Sequence, residues 1–284
     1  MTRRPATALE AWTPLARAGG AALAALVCAS FPLVLLATAL ATDPPMTPSA
    51  LVESLAAAAL LPAVALRLLA RFGRAEASIE GADLAVRSRG LRLAVPLASL
   101  ARVRPWRLPL PRPGVALELA SGARLRWSLA AADPSPLLEA LAAAGVAPAR
   151  AALAHPSLVY ARARAAAPRR VWQRPLLGIA LFSLVPAGIG FYAHQHIAYG
   201  GLLGEYYLMG PLAWLRTAAV YWLHAALLLL LYAETLRALV ELAALSAAWL
   251  APARAAAVRR WLEGGGAALY YASVPALLAL RFLA

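Results

Sequence analysis

With 62% hydrophobic and only 14% charged side chains in 284 residues, the chain is too apolar for a one- or two-domain soluble protein and reads as a membrane protein. Its formal charge of +14 is carried by arginine alone, a usage that looks like the coding bias of a GC-rich genome; the arginines stand beside apolar runs, where the positive-inside bias accounts for them, so nucleic acid is set aside as a partner. The single cysteine, Cys28, excludes an intrachain disulfide and a cysteine-based zinc site.

The first apolar run, Ala18 to Ala41, follows Arg3, Arg4 and Arg17 and exceeds the roughly 20 residues that cross a hydrocarbon core. Its end at Ala39, Leu40 and Ala41 fits a signal-peptide cleavage site, but its length and the second run that soon follows favour a transmembrane helix. Asp43, Pro44, Pro45 and Pro48 form a break free of basic residues; the second run, Ala50 to Leu69, ends among Arg67, Arg71 and Arg74. The two runs read as a transmembrane hairpin with its Arg-rich ends, and the module after Arg74, on the cytoplasmic side, and with Glu53 at the outer interface.

From Ala77 the hydrophobic period becomes two. Leu84 and Val86, then Leu91, Leu93 and Val95, predict half-buried strands joined across Ser88 to Gly90. Val115, Leu117 and Leu119, the turn at Ser121-Gly122, and Leu125, Trp127 and Leu129 predict a hairpin. Asp133 with Pro134 starts a helix whose apolar face is Leu137, Leu138 and Leu141, and Gly145 ends it.

This order, a hairpin followed by "GADLAVRSRG", "LRLAVPLASLARV", "GVALELASGARLRW" and a helix after "DPSP", resembles the bacterial pleckstrin-homology-like domains of membrane proteins. Val95, Pro96, Leu97, Leu100 and Val103 match their "I-P-L-x-x-I-x-x-V" segment, and the similarity covers residues 77–147, about a quarter of the chain. The resemblance implies a partly open β-barrel or paired-sheet module capped by a helix and used for binding or assembly; no lipid-ligand residue is matched.

The stretch "RPWRLPLPRPG" holds four prolines and must be a loop or an edge. It is either a contact surface or a rigid connector. As a contact surface, Trp106, Leu108 and Leu110 enter the interface or a partner, and Arg104, Arg107 and Arg112 meet anionic headgroups at about 1 kcal/mol each.

Residues 148–174, with Arg162, Arg164, Arg169, Arg170 and Arg174, read as a basic juxtamembrane linker before a third span, Pro175 to Ala193. The outward segment "HQHIAYGGLLGEYYLMG" gathers His194, His196, Tyr199, Glu205, Tyr206 and Tyr207. An interfacial belt of Tyr and His explains it, as does a partner or ligand contact. A divalent-metal site of His194, His196 and Glu205, with His224 in reserve, requires the two histidines on extended backbone.

A fourth span, Leu212 to Tyr232, leads to Glu234, Arg237 and Glu241 on one helical face. They meet water and headgroups if the helix runs on along the cytoplasmic side; as a sixth span they would be buried intramembrane charges. Arg254, Arg259 and Arg260 favour the first. Gly264 to Gly266 mark a flexible break before a fifth span, Ala267 to Ala284, with Arg281 snorkelling at its end.

The expectation is thus an α-helical integral membrane protein of five spans, six in the alternative, with an inserted PH-like domain. The parts are residues 1–76 (tail and hairpin), 77–147 (cytoplasmic PH-like domain), 148–174 (linker) and 175–284 (bundle). The leading function is non-enzymatic, in a bacterial inner membrane: assembly with a protein partner or a second copy, or contact with anionic lipid headgroups. The rivals are a metal-dependent intramembrane enzyme and a transporter or its accessory subunit.

Overall fold

A computed structural model of the protein describes residues 7–40, 47–88, 91–167 and 171–283, without the side chains of 91, 171 and 277–283. Arg3, Arg4, the break at Asp43 to Pro45, Gly90 of the expected strand turn, Arg169, Arg170 and the Arg281 side chain lie outside the described residues. Two compact units are present. The first is Met1–Val27, Leu60–Pro168 and Glu241–Trp261; the second is Cys28–Ala59, Arg169–Val240 and Leu262–Ala284.

The first unit is built on seven antiparallel strands: β1 (Thr7–Trp12), β2 (Arg74–Glu80), β3 (Asp83–Ser88), β4 (Leu91–Pro96), β5 (Leu100–Pro105), β6 (Gly114–Leu119) and β7 (Ser128–Ala130). Their order, β4-β3-β2-β1-β7-β6-β5, puts β4 and β5 at opposite edges, yet only Leu97–Ser99 separates them in the chain. Laid flat, those edges would be about 29 Å apart at about 4.8 Å per strand. Three connecting residues reach at most about 14 Å. The sheet therefore curls until its edges approach. Val95, Leu97, Leu100 and Val103 are buried at this corner, and Pro96 between them is exposed.

Asp133 Oδ1 accepts the Ser135 amide at 2.9 Å to start helix α4 (Ser135–Ala143), whose Leu137, Leu138 and Leu141 enter the sheet's core as expected. Two features depart from expectation. No strand was expected before Ala77, but β1 sits at the middle of the sheet, paired with β2 through Glu10↔Arg74 and with β7 through Glu10↔Ala130. The segment read as a linker holds helices α5 (Ala147–Ala152) and α6 (Pro156–Ala166), with Leu158 and Ala161 fully buried.

Among the described residues, four helical stretches are long and apolar enough to cross a membrane: Pro14–Leu40 (α1), Pro48–Phe72, Pro175–Tyr199 and Pro211–Leu250. The second comprises α2 (Pro48–Leu55), a π-helical turn and α3 (Leu61–Phe72); the third ends in α7 (Leu184–Tyr199). A short helix, α8 (Gly204–Met209), separates α7 from α9 (Pro211–Leu250), and α10 (Ala255–Leu283) closes the chain.

Against the expected five or six spans, the described residues hold four such stretches. No separate sixth segment exists, because Glu234 to Leu250 continues α9 without interruption; at 1.5 Å per residue its 40 residues are about 60 Å long, twice a hydrocarbon core. The expected fifth run is the later part of α10, a helix that begins at Ala255 and carries Arg259, Arg260 and Glu263 ahead of that run. Nor is Gly264 to Gly266 a break: all three are helical. A Cβ on Gly266 would stand 3.3 Å from Val240 and 3.4 Å from Trp172, so glycine lets α10 approach that neighbour closely. Trp172, Leu229, Leu236, Tyr270 and Val274 form the core there, and the Tyr270 hydroxyl donates to the Gly178 carbonyl at 2.7 Å.

Candidate functional site

In the second unit, α7 carries His194, Gln195 and His196, Gly200 stops that helix in the left-handed region, and α8 presents Glu205. A helix turns two adjacent-but-one residues about 200° apart, so both histidines cannot address one metal. His194 lines a pocket of about 390 Å³ with Glu205, Arg216, Thr217 and Tyr221. His196 is exposed instead, its ring tilted against Tyr192 with its Nδ1 2.9 Å from the Tyr192 carbonyl. His224 lies on α9 and is not among the residues around this pocket. Among the described residues no group of three metal-ligating His, Cys, Asp or Glu side chains is assembled.

What holds Glu205 is neutral. Its carboxylate is 5% exposed and accepts from Gln195 Nε2 at 2.5 Å and from Thr217 Oγ1 at 2.7 Å. Gln195 is fully buried and its Oε1 has no hydrogen-bond partner. Sequence reading singled out Glu205 and His194 but missed Gln195, Thr217 and Arg216. The only signal available was a glutamine between the two histidines in an otherwise apolar run.

The triad on α9 divides. Glu234 and Arg237 pair with each other at 3.5 Å, about a third exposed. Glu241 is bound elsewhere, within the first unit. Arg259 on α10 donates to both its oxygens, at 2.7 and 2.9 Å, Arg164 Nε on α6 lies 3.3 Å away, and the Tyr160 hydroxyl donates at 2.6 Å. Burial first, and the adjacent carboxylate second, push the Tyr160 phenol well above its ordinary range, which keeps it a donor. Arg259 is 5% exposed, and the paired carboxylate of Glu241 offsets the cost of burying its charge.

The proline-rich stretch is also redistributed. Arg104 lies within β5, at the sheet edge, and pairs with Glu118 at 2.8 Å; Arg112 pairs with Glu10 at 3.2 Å. Trp106, expected to project outward, is 3% exposed, packs with Trp12 and Ala130, and lies under the Arg17 guanidinium at 4.4 Å. A Cβ on Gly114 would come within 3.0 Å of its ring, so the glycine is part of its seat. Leu108 and Arg107 remain exposed. Burial, and then the charge of Arg107, hold His155 below its ordinary pKa; its Nδ1 accepts the Ser157 amide at 3.3 Å as the cap of α6. Beside Arg112, a groove of about 830 Å³ is lined by Arg74, Arg87, Arg92, Glu10 and Glu76.

Compared with known proteins, the chain matches no protein-family model, no curated protein and no solved structure.

Proposed function

We propose that the chain is a bacterial inner-membrane protein whose curled sheet is a cytoplasmic, pleckstrin-homology-like module for assembly with a protein partner or a second copy, or for contact with anionic headgroups. The observation that carries the reading is the first unit itself. It has its own core, a nearly closed antiparallel sheet and a packed helix, in a chain with four helices long and apolar enough to cross a membrane. Topology supports the hairpin. The chain leaves β1 at Trp12 and returns to its paired neighbour β2 at Arg74, so any crossings between them are even in number. Arg67, Arg71 and Arg74 at the returning end support the cytoplasmic side. The mixed-charge groove around Arg74 and Arg112 is the surface assigned to the contact, because Trp106 is buried within the unit and Arg74, Arg87, Arg92 and Arg112 all line this groove.

Affinity purification of the full chain from native membranes in mild detergent, followed by mass spectrometry, tests this. A stoichiometric partner or a discrete homo-oligomer that is lost in Arg74→Glu with Arg112→Glu supports the reading. Liposome flotation of the same pair of proteins tests the headgroup arm. A protein that is monomeric, partner-free and indifferent to anionic lipid would refute both.

A further inference from the structure

We infer that the pocket between α7, α8 and the start of α9 binds a small zwitterion, its ammonium group on Glu205 and its anionic oxygens on Arg216. Buried carboxylates are ordinarily neutralised by a cation. Among the described residues Glu205 has none: its hydrogen-bond partners are an amide and a hydroxyl. Arg216 lines the same pocket and makes no ion pair with Glu205 or any other described carboxylate. Two opposite charges facing one cavity without meeting leave each free for the complementary charge of a guest. Thr217, which already donates to Glu205 Oε1, fixes that oxygen in place, and a carboxylate that lines the pocket with two of its roughly four acceptor positions used has capacity for a further donor. Tyr221 and His194 supply aromatic surface beside the ammonium position. The unsatisfied Gln195 Oε1 adds a second buried acceptor next to the same carboxylate. A volume of about 390 Å³ lies at the lower end of small-molecule sites.

An ammonium and an oxyanion on one small molecule describe both a free amino acid and an aminophospholipid headgroup. The test separates them. Full-length protein in detergent is dialysed against radiolabelled glycine, L-alanine, L-leucine and O-phosphoethanolamine, and lipid carried through purification is identified by mass spectrometry. We expect saturable binding of at least one zwitterion, absent for N-acetylated or amidated counterparts. Glu205→Gln and Arg216→Gln should each weaken it about 10- to 100-fold, the worth of one charge-assisted contact. Amino-acid binding assigns a soluble ligand. Binding of O-phosphoethanolamine alone, with phosphatidylethanolamine retained by the parent protein and lost from both variants, assigns a lipid. Binding of none of the four, or binding unchanged in both variants, overturns the inference. Arg216 is exposed, so its variant remains interpretable even if Glu205→Gln fails to fold.

Discussion

Glu241 and Glu205 are two carboxylates sheltered from water in one protein and stabilised in opposite ways. Glu241 is gripped by Arg259, Arg164 and Tyr160, so its charge is spent on joining α6 to the end of α9 and the start of α10. Glu205 is hydrogen-bonded by neutral groups beside an open pocket, so its charge remains available. The first arrangement is that of a structural tie and the second that of a binding site, and substitutions should separate them.

The largest effect is expected from Glu241→Ala, which removes the carboxylate that accepts twice from the buried Arg259 guanidinium and should lower stability to unfolding in detergent by about 2–4 kcal/mol. A loss below about 1 kcal/mol would break the contrast. Tyr160→Phe removes one donor to the same carboxylate and should cost about 1–2 kcal/mol in that assay. Acidification probes the tie from another direction. A histidine with a lowered folded pKa gives stability that is present above its ordinary value, about 6.5, and is lost as pH falls through the folded value. Protonated His155 cannot accept the Ser157 amide, so hydrogen exchange at the start of α6, corrected for intrinsic rate, should be faster near pH 5 than near pH 7.5. Equal protection at both would separate His155 from the anchoring of Tyr160 and Arg164. The smallest effect is reserved for Glu205→Gln, which breaks no ion pair; its one amide oxygen can accept from Gln195 while its new amide N–H donates to the Thr217 hydroxyl, so stability should change by under about 1 kcal/mol.

The contrast also explains what could be read in advance. Strands β3, β4 and β6 carry large apolar residues two apart, Leu84 and Val86, Leu93 and Val95, and Val115 and Leu117, and stand close in sequence, so period two revealed them. Strand β5 did not, because a register shift between Leu100 and Arg102 interrupts the alternation, and β2 did not, because its inward residues are mostly alanine. Strand β1 is invisible locally, since its partners lie beyond the α1–α3 segment. The apolar runs marked the long helices, but the end of the apolar run at Ala193 drew the end of α7 too early and placed both histidines on an outward segment, whereas the helix continues to Tyr199, with Gly200 as its cap. Glu205 was legible as a polar residue out of place. The partners of Glu241 were not, because Tyr160 stands 81 residues away and Arg259 on another helix, and no local pattern records either.

The central place of β1 also sets an order of events during synthesis. At roughly 5–20 residues per second, β1 emerges several seconds before β2, with the α1–α3 segment made in between. The middle strand of the sheet is therefore the first to exist and must stay unpaired while that apolar segment is made, exposing a bare edge to any other strand nearby. Sheet closure must await β7, over a hundred residues after β1. Assembly of this unit is thus a late event, and a nascent chain stalled before Ser128 would lack the strand that joins β1 to β6.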